Sequence, residues 1–353
     1  MAIKQENQHH EWTKWPKELK LREKEALAQA KKRLHAQVEF HIFLQYEFFK
    51  QWQALKKYAH QKGVYVIGDM PIYVAMDSSD TWANRDIFQM NEEGYPTEVS
   101  GCPPDSFSAD GQLWGNPLYN WEKLKANEYD WWMKRIQASF EMADVLRIDH
   151  FRGFESYYAI PYGDTTARNG RWRRGPNFDF IDAIHKAFPN QNIIAEDLGF
   201  LTPQVKELLR YSGYPGMKVL QFAFDTREDG DYLPHNYERN CVVYTGTHDN
   251  DTLCGWLKNA FKDDIEHARH YLAIEKNQKE QHWCFIRAAL ASVADLAVIP
   301  IQDYLGLGEE ARINTPSTIG QNWKWRMKSQ QLSDELAARI ADQTKLYGRA
   351  VKE

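Results

Sequence analysis

Cysteine is scarce in this chain: four in 353 residues, at 102, 241, 254 and 284. They are scattered and form no CxxC pair, which argues against a zinc site or a disulfide framework and suits a reducing compartment. The first residues, MAIKQENQHHEW, carry no apolar stretch of the kind a secretory signal needs. No run of about 18 apolar residues occurs, so no transmembrane helix is expected, and the expected location is cytoplasmic. There is no basic excess either. Lys and Arg number 44 against 49 Asp and Glu, a formal net charge of −5, which offers nothing to nucleic acid or to an anionic membrane surface. No GxGxxG or GxxxxGKS loop follows an apolar run, which weakens nucleotide readings. His248-Asp249-Asn250-Asp251 has neither a second His nor EF-hand spacing to make a metal loop. No metal and no cofactor is expected.

What is abundant is aromatic: 13 Trp, 18 Tyr and 17 Phe. Flat rings can stack on the apolar faces of sugars, and they can equally fill a Trp-rich core. Residues 1–35 form a polar, Lys-rich segment with little core-forming material. A helix is predicted from about 36 to 61, where Ile42, Tyr46, Phe49, Trp52 and Leu55 recur at helical spacing before Gly63. Six short apolar runs then end in polar groups: Val64–Ile67 before Gly68-Asp69, 143–148 before Asp149, 192–195 before Glu196, 218–224 before Asp225, 241–244 before His248-Asp249, and 296–301 before Gln302-Asp303. Most precede helix-compatible sequence, which implies parallel β/α units. Carboxylates at strand C-termini suit a (β/α)8 barrel, although an open doubly wound sheet also presents ligands there. The 75 or so residues between the first two runs are rich in Gly, Pro, Asn and Trp, too long for an ordinary βα loop. They read as an inserted subdomain covering the active-site face. The expected division is a polar segment at 1–35, barrel at 36–75, insertion with a lid loop at 76–140, and barrel again at 141–353. The basic run from Arg168 to Arg174 reads as a solvated loop.

Asp149, Glu196 and Asp249 each follow a predicted strand. Cleaving a glycosidic bond with retention takes two carboxyl groups roughly 5–5.5 Å apart, one to attack the anomeric carbon and one to protonate the leaving oxygen. Adjacent strands about 4.8 Å apart can supply that spacing. Arg147, two residues before Asp149, shares its side of the strand and would keep it ionised. Glu196 would need a raised pKa, and His248-Asp249 could grip sugar hydroxyls as charge develops. Singly, each has a plainer reading: a turn or capping residue for an Asp, a structural ion pair for Arg147 with Asp149.

Longer stretches carry a resemblance. Gly68-Asp69-Met70-Pro71-Ile72-Tyr73-Val74, the Pro103-Pro104-Asp105 to Tyr119 loop, Arg147-Ile148-Asp149-His150-Phe151-Arg152-Gly153, Ala195-Glu196-Asp197-Leu198-Gly199, the Thr245 to Thr252 run TGTHDNDT, and Gln302-Asp303 through Asn322-Trp323-Lys324-Trp325-Arg326 resemble the 4-α-glucanotransferases of glycoside hydrolase family 77 (amylomaltase or disproportionating enzyme), within the α-amylase clan. The resemblance covers about residues 40 to 330. It implies a TIM barrel represented by its strands three to eight, incomplete here as if N-terminally truncated, with the insertion after the first strand present. It implies transfer of α-1,4-glucan segments to glucose or maltooligosaccharide acceptors by a retaining double displacement. Asp149 would be the nucleophile, Glu196 the general acid/base and Asp249 the transition-state stabiliser. Arg147 and His248 would line the subsite of the bond being cut, Asp69 its edge, and Phe107 and Trp114 would touch sugar from a loop arching over the cleft. Ser106 departs from the family's usual Tyr. An α-glucan hydrolase using the same triad, or an inactive glucan-binding fragment, are the alternatives.

Overall fold

In a computed structural model, which describes residues 1–104, 108–199, 201–227 and 230–350, ten strands form three sheets. Six are the parallel strands expected from the apolar runs. Ile67–Met70 (β1), Val145–Ile148 (β4) and Asn192–Ala195 (β7) lie in the order β1-β4-β7. Gly216–Val219 (β8), Cys241–Tyr244 (β9) and Leu296–Val298 (β10) lie in the order β8-β9-β10. The remaining four make an antiparallel sheet, β3-β2-β5-β6, from Glu98–Cys102 (β2), Gln112–Pro117 (β3), Ser156–Pro161 (β5) and Arg171–Arg174 (β6). The chain divides into two compact units, Met1–Tyr214 and Pro215–Glu353.

In the first unit, β1 pairs β4 with Asp69 opposite Arg147, and β4 pairs β7 with Ile148 opposite Ala195. The helices Asp130–Met142 and Phe178–Ala187 accompany the parallel strands. They bury Trp132 and Ile136, and Phe180, Ile181 and Ile184, against Leu146, Ile148 and Ile193. Spacings of three and four residues (132 to 136, 181 to 184, 180 to 184) keep them on one helical face, the stripe that a sheet can cover. In the antiparallel sheet, Gly101 faces Gln112 so closely that a Cβ would stand 2.1 Å from its carbonyl oxygen. Only glycine permits that approach, which sits beside the irregularity in the β2–β3 register.

Two sequence readings change here, and a third holds with an unexpected setting. The basic run from Arg168 to Arg174 is not simply a solvated loop, because its second half is strand β6. Alternation puts Arg171 and Arg173 on one face, where both pair with the buried Glu98 at 2.9 and 2.8 Å. Their partner lies over 70 residues away, so no local pattern signals it. The segment 1–35 does hold core material: Trp12, Trp15, Leu19 and Ala30 are buried and pack with Met76, Trp82 and Met90, and Trp12 Nε1 donates to the Met76 carbonyl at 2.7 Å. The helix predicted at 36–61 runs His35–Gln61, yet none of its residues is buried. Its apolar positions, Ile42, Tyr46 and Leu55 among them, stay exposed. It is tied down instead by polar contacts, from Trp52 Nε1 to the Met142 carbonyl and from Lys56 Nζ to that of Ala143, both 2.9 Å.

Strand limits shift as well. The first strand starts at Ile67, not Val64, so Asp69 lies within it. The run ending at Asp225 is strand only to Val219 and then turns through Leu220–Phe222; Asp225 pairs with Arg227. The run 296–301 ends at Val298, since Pro300 opens the helix Ile301–Tyr304. The second unit's core gathers Phe224, Val243, Phe285, Ile286 and Leu290.

Candidate active site

Asp149 and Glu196 occupy equivalent places, each one residue past the end of a parallel strand. The ladder carries on through them: Asp149 N–H donates to the Met70 carbonyl and Glu196 N–H to that of Ile148, both at 3.0 Å. Adjacent strands thus deliver two carboxyl groups side by side. Arg147, buried at 7% exposure, donates through Nη1 to Asp69 Oδ1 at 2.6 Å and to Asp149 Oδ1 at 3.0 Å. Burial works against its charge. The carboxylates of Asp69, Asp149 and Glu196 more than reverse this and hold the guanidinium ionised.

Glu196 is held from both sides. Its Oε2 accepts from the His150 N–H and its Oε1 from the Leu198 N–H, both at 2.7 Å. His150 presents that N–H from a left-handed backbone, φ +51°. Burial pushes the Glu196 carboxyl up to about 7 and the neighbouring Asp149 charge adds to this, while Arg147 and the two N–H donors pull the other way. Near neutrality Glu196 is therefore a fair mixture of acid and base, the condition a general acid/base requires. Burial also drives the His150 ring down to about 3, with Arg152 contributing, so that ring is neutral. Trp114, 37% exposed on β3, sets its indole edge-on to His150 at 4.9 Å.

In the second unit, His248 and Asp249 follow β9, as expected. Asp249 is clamped by two residues that sequence reading did not single out. Asn314 Nδ2 donates to Asp249 Oδ1, and Arg312 Nη2 to the Asp249 carbonyl, each at 2.6 Å. His248 Nε2 lies 3.4 Å from Asp249 Oδ2, and its ring centroid is 5.3 Å from that of Trp323. In the same unit Asp303 is buried. Its Oδ2 accepts from the Thr245 hydroxyl at 2.6 Å and its Oδ1 from the Leu253 N–H at 2.8 Å, and burial, with Asp251 adding, pushes its carboxyl up to about 6. Sequence signals for the Asp249 clamp are faint: Asn314 and Arg312 lie more than 60 residues beyond Asp249 in a stretch without periodicity. Phe107 and Ser106 lie outside the described residues. Among the described residues no cluster of three or more His, Cys, Asp or Glu could hold a metal ion, and no helix is long and apolar enough to cross a membrane.

The sequence profile of the 4-alpha-glucanotransferase family matches residues 1–332. The chain belongs to that family. A 4-alpha-glucanotransferase of Clostridium butyricum is 48% identical over 99% of this chain and 72% of its own length. The chloroplast and amyloplast 4-alpha-glucanotransferase of Arabidopsis thaliana is 45% identical, over 96% of this chain and 59% of its own. The amylomaltase of Streptococcus agalactiae, solved in complex with acarbose, superposes with a TM-score of 0.96 at 38% identity, covering 99% of this chain and 71% of that one. The amylomaltase of Corynebacterium glutamicum, 18% identical with a TM-score of 0.72, shares the fold over 88% of this chain and 50% of that one. The expected TIM-barrel fold of the α-amylase clan is therefore the 4-alpha-glucanotransferase fold seen here, and membership makes the chain an enzyme of that class. The family match begins at residue 1, so the resemblance also takes in the N-terminal helices, further than the motifs from about residue 40 indicated.

Proposed function

We propose that the chain transfers α-1,4-glucan segments between maltooligosaccharides by double displacement, with Asp149 as nucleophile, Glu196 as general acid/base and Asp249 stabilising the transition state. The observation that carries this reading is the raised pKa of Glu196 beside a carboxylate tied to a buried arginine. Asp149 attacks the anomeric carbon while Glu196 gives its proton to the departing glycosidic oxygen. The resulting glycosyl ester has lost the Asp149 charge, one of the two influences that raise Glu196. Its pKa falls, and it becomes the base that takes the proton of the acceptor's 4-hydroxyl as that oxygen attacks the ester carbon. Asp69 and Asp149 share Arg147, which fixes the direction of attack. Asp249, with His248, strengthens its hold on sugar hydroxyls as positive charge develops at the ring. Trp114 supplies an apolar platform for a sugar face.

Incubation with maltotriose tests the reading. Glucose together with a ladder of longer maltooligosaccharides is expected. Reducing ends that rise without chain lengthening would assign hydrolysis instead, and no product at all would remove the catalytic reading. We place the protein in a reducing compartment such as the cytoplasm, supported by the scarcity and scattered spacing of its four cysteines.

A further inference from the structure

A cavity of about 540 Å³ opens in the first unit between β6, the turn leaving Phe154 and the helices Phe178–Ala187 and Pro203–Ser212. That size lies within the range of small-molecule sites, about 300–1,000 Å³. None of its lining residues belongs to the proposed catalytic set. Its wall carries Trp172, a residue 44% exposed although the Arg152 guanidinium lies 4.1 Å from the ring centroid and Tyr158 makes a T-shaped contact with it. Around it stand Glu155, Arg173, Arg174 and Glu207. Arg173 is already paired with Glu98 at 2.8 Å, and Arg174 together with Arg152 beside the indole offsets the two glutamates, so the wall favours neither an anion nor a cation.

Two polar atoms in this wall are buried without a hydrogen-bond partner among the described residues, Asn177 Oδ1 and Arg173 Nε. One is an acceptor and one a donor. A buried group left so is costly, and a ligand hydroxyl can satisfy either kind, since it both donates and accepts. An exposed indole, a charge-balanced rim with both ionic signs, and unsatisfied donors and acceptors together describe a neutral polyol with an apolar face, which is a sugar ring. We propose that this cavity is a second saccharide site, distinct from the catalytic set, and that it takes a segment of α-1,4-glucan chain. The choice of α-1,4-glucan rests on the transfer reading above; the saccharide class rests on the cavity itself.

Native electrophoresis through gels containing amylose, with dextran gels as the control, tests it. Amylose is expected to retard the wild-type chain and Asp149→Asn alike, and dextran to retard neither. Trp172→Ala is expected to weaken the apparent affinity for amylose about fivefold, the scale of one lost aromatic–sugar stack, and Trp172→Phe to restore part of it. Arg174→Ala, at an exposed position of β6, should weaken it too. Retardation of both alanine variants equal to wild type, no retardation of the wild type, or equal retardation in dextran would each overturn the proposal. A maltotriose ladder with Trp172-independent retardation defeats the second site alone. Trp172-dependent retardation without a ladder defeats the transfer reading alone.

Discussion

Replacing Asp149 by Asn should lower the pKa of Glu196, and the size of the drop can be worked out. Glu196 stands at about 7 against 4.5 for a free glutamate, a shift of about 2.5 units or about 3 kcal/mol. Burial is the leading cause and Asp149 the second. Two unit charges about 5.5 Å apart interact by about 3 kcal/mol at an effective dielectric near 20. The Asp149 side chain is 40% exposed and shares its charge with Arg147, so about half of that, roughly one pH unit, is a reasonable share. An asparagine at this position keeps the shape and removes the charge, which makes the Asp149→Asn variant an electrostatic copy of the glycosylated enzyme. Glu196 should then titrate near 6, still above 4.5 because burial remains.

The sign of the stability effect follows from linkage. A carboxyl whose folded pKa is raised contributes most below its unfolded value of 4.5, and that contribution is lost as pH rises through the folded value. Wild type should lose about 3 kcal/mol of stability relative to Glu196→Gln between about pH 4.5 and 8, mostly around pH 5 to 7. Asp149→Asn should lose about 2 kcal/mol relative to the Asp149→Asn, Glu196→Gln double variant, with its window ending about one unit lower. Urea unfolding across this pH range measures both differences, and carboxyl ¹³C shifts follow Glu196 directly. A Glu196 midpoint unmoved by Asp149→Asn would refute the coupling, and with it the account of how one carboxyl serves as acid in the first step and base in the second.

Two further outcomes are expected. Asn314→Ala frees Asp249 Oδ1 from its 2.6 Å restraint; kcat on maltotriose should drop about tenfold, the cost of a lost orienting hydrogen bond, with little change in unfolding midpoint. Asp303→Asn should flatten the stability of the chain between about pH 4 and 6. The buried carboxyl, raised from 3.8 to about 6, loses up to about 3 kcal/mol over that window as it ionises, and urea titrations at about pH 4 and 7 would show the variant lacking that loss.

The parallel strands and their carboxylates were legible because a buried strand advertises itself locally: a few apolar residues, then a polar one. Asn192–Ala195 and Cys241–Tyr244 match their runs residue for residue. The run 218–224 misled because a 3₁₀ turn buried beside a strand is just as apolar. Strand β6 was invisible for the opposite reason, since a basic strand depends on a glutamate recruited from elsewhere in the chain. The same holds within the site. Arg147 and Asp149 are two residues apart and readable by alternation. The partnership of His150 N–H with Glu196, and of Asn314 with Asp249, is made by tertiary folding across 46 and 65 residues. The long helix His35–Gln61 shows that periodicity reports helix formation without reporting burial.

The left-handed turn at His150 has one more consequence. The peptide nitrogen that grips Glu196 Oε2 belongs to the residue bonded directly to Asp149. The gap between the two carboxyl groups is therefore spanned by a single peptide unit and one short hydrogen bond, and it need not widen when neighbouring strands breathe. A non-glycine residue at φ +51° costs about 1 kcal/mol. For that cost the molecule holds a caliper whose jaws are the two carboxyl groups and whose opening is set by one peptide unit and one 2.7 Å hydrogen bond.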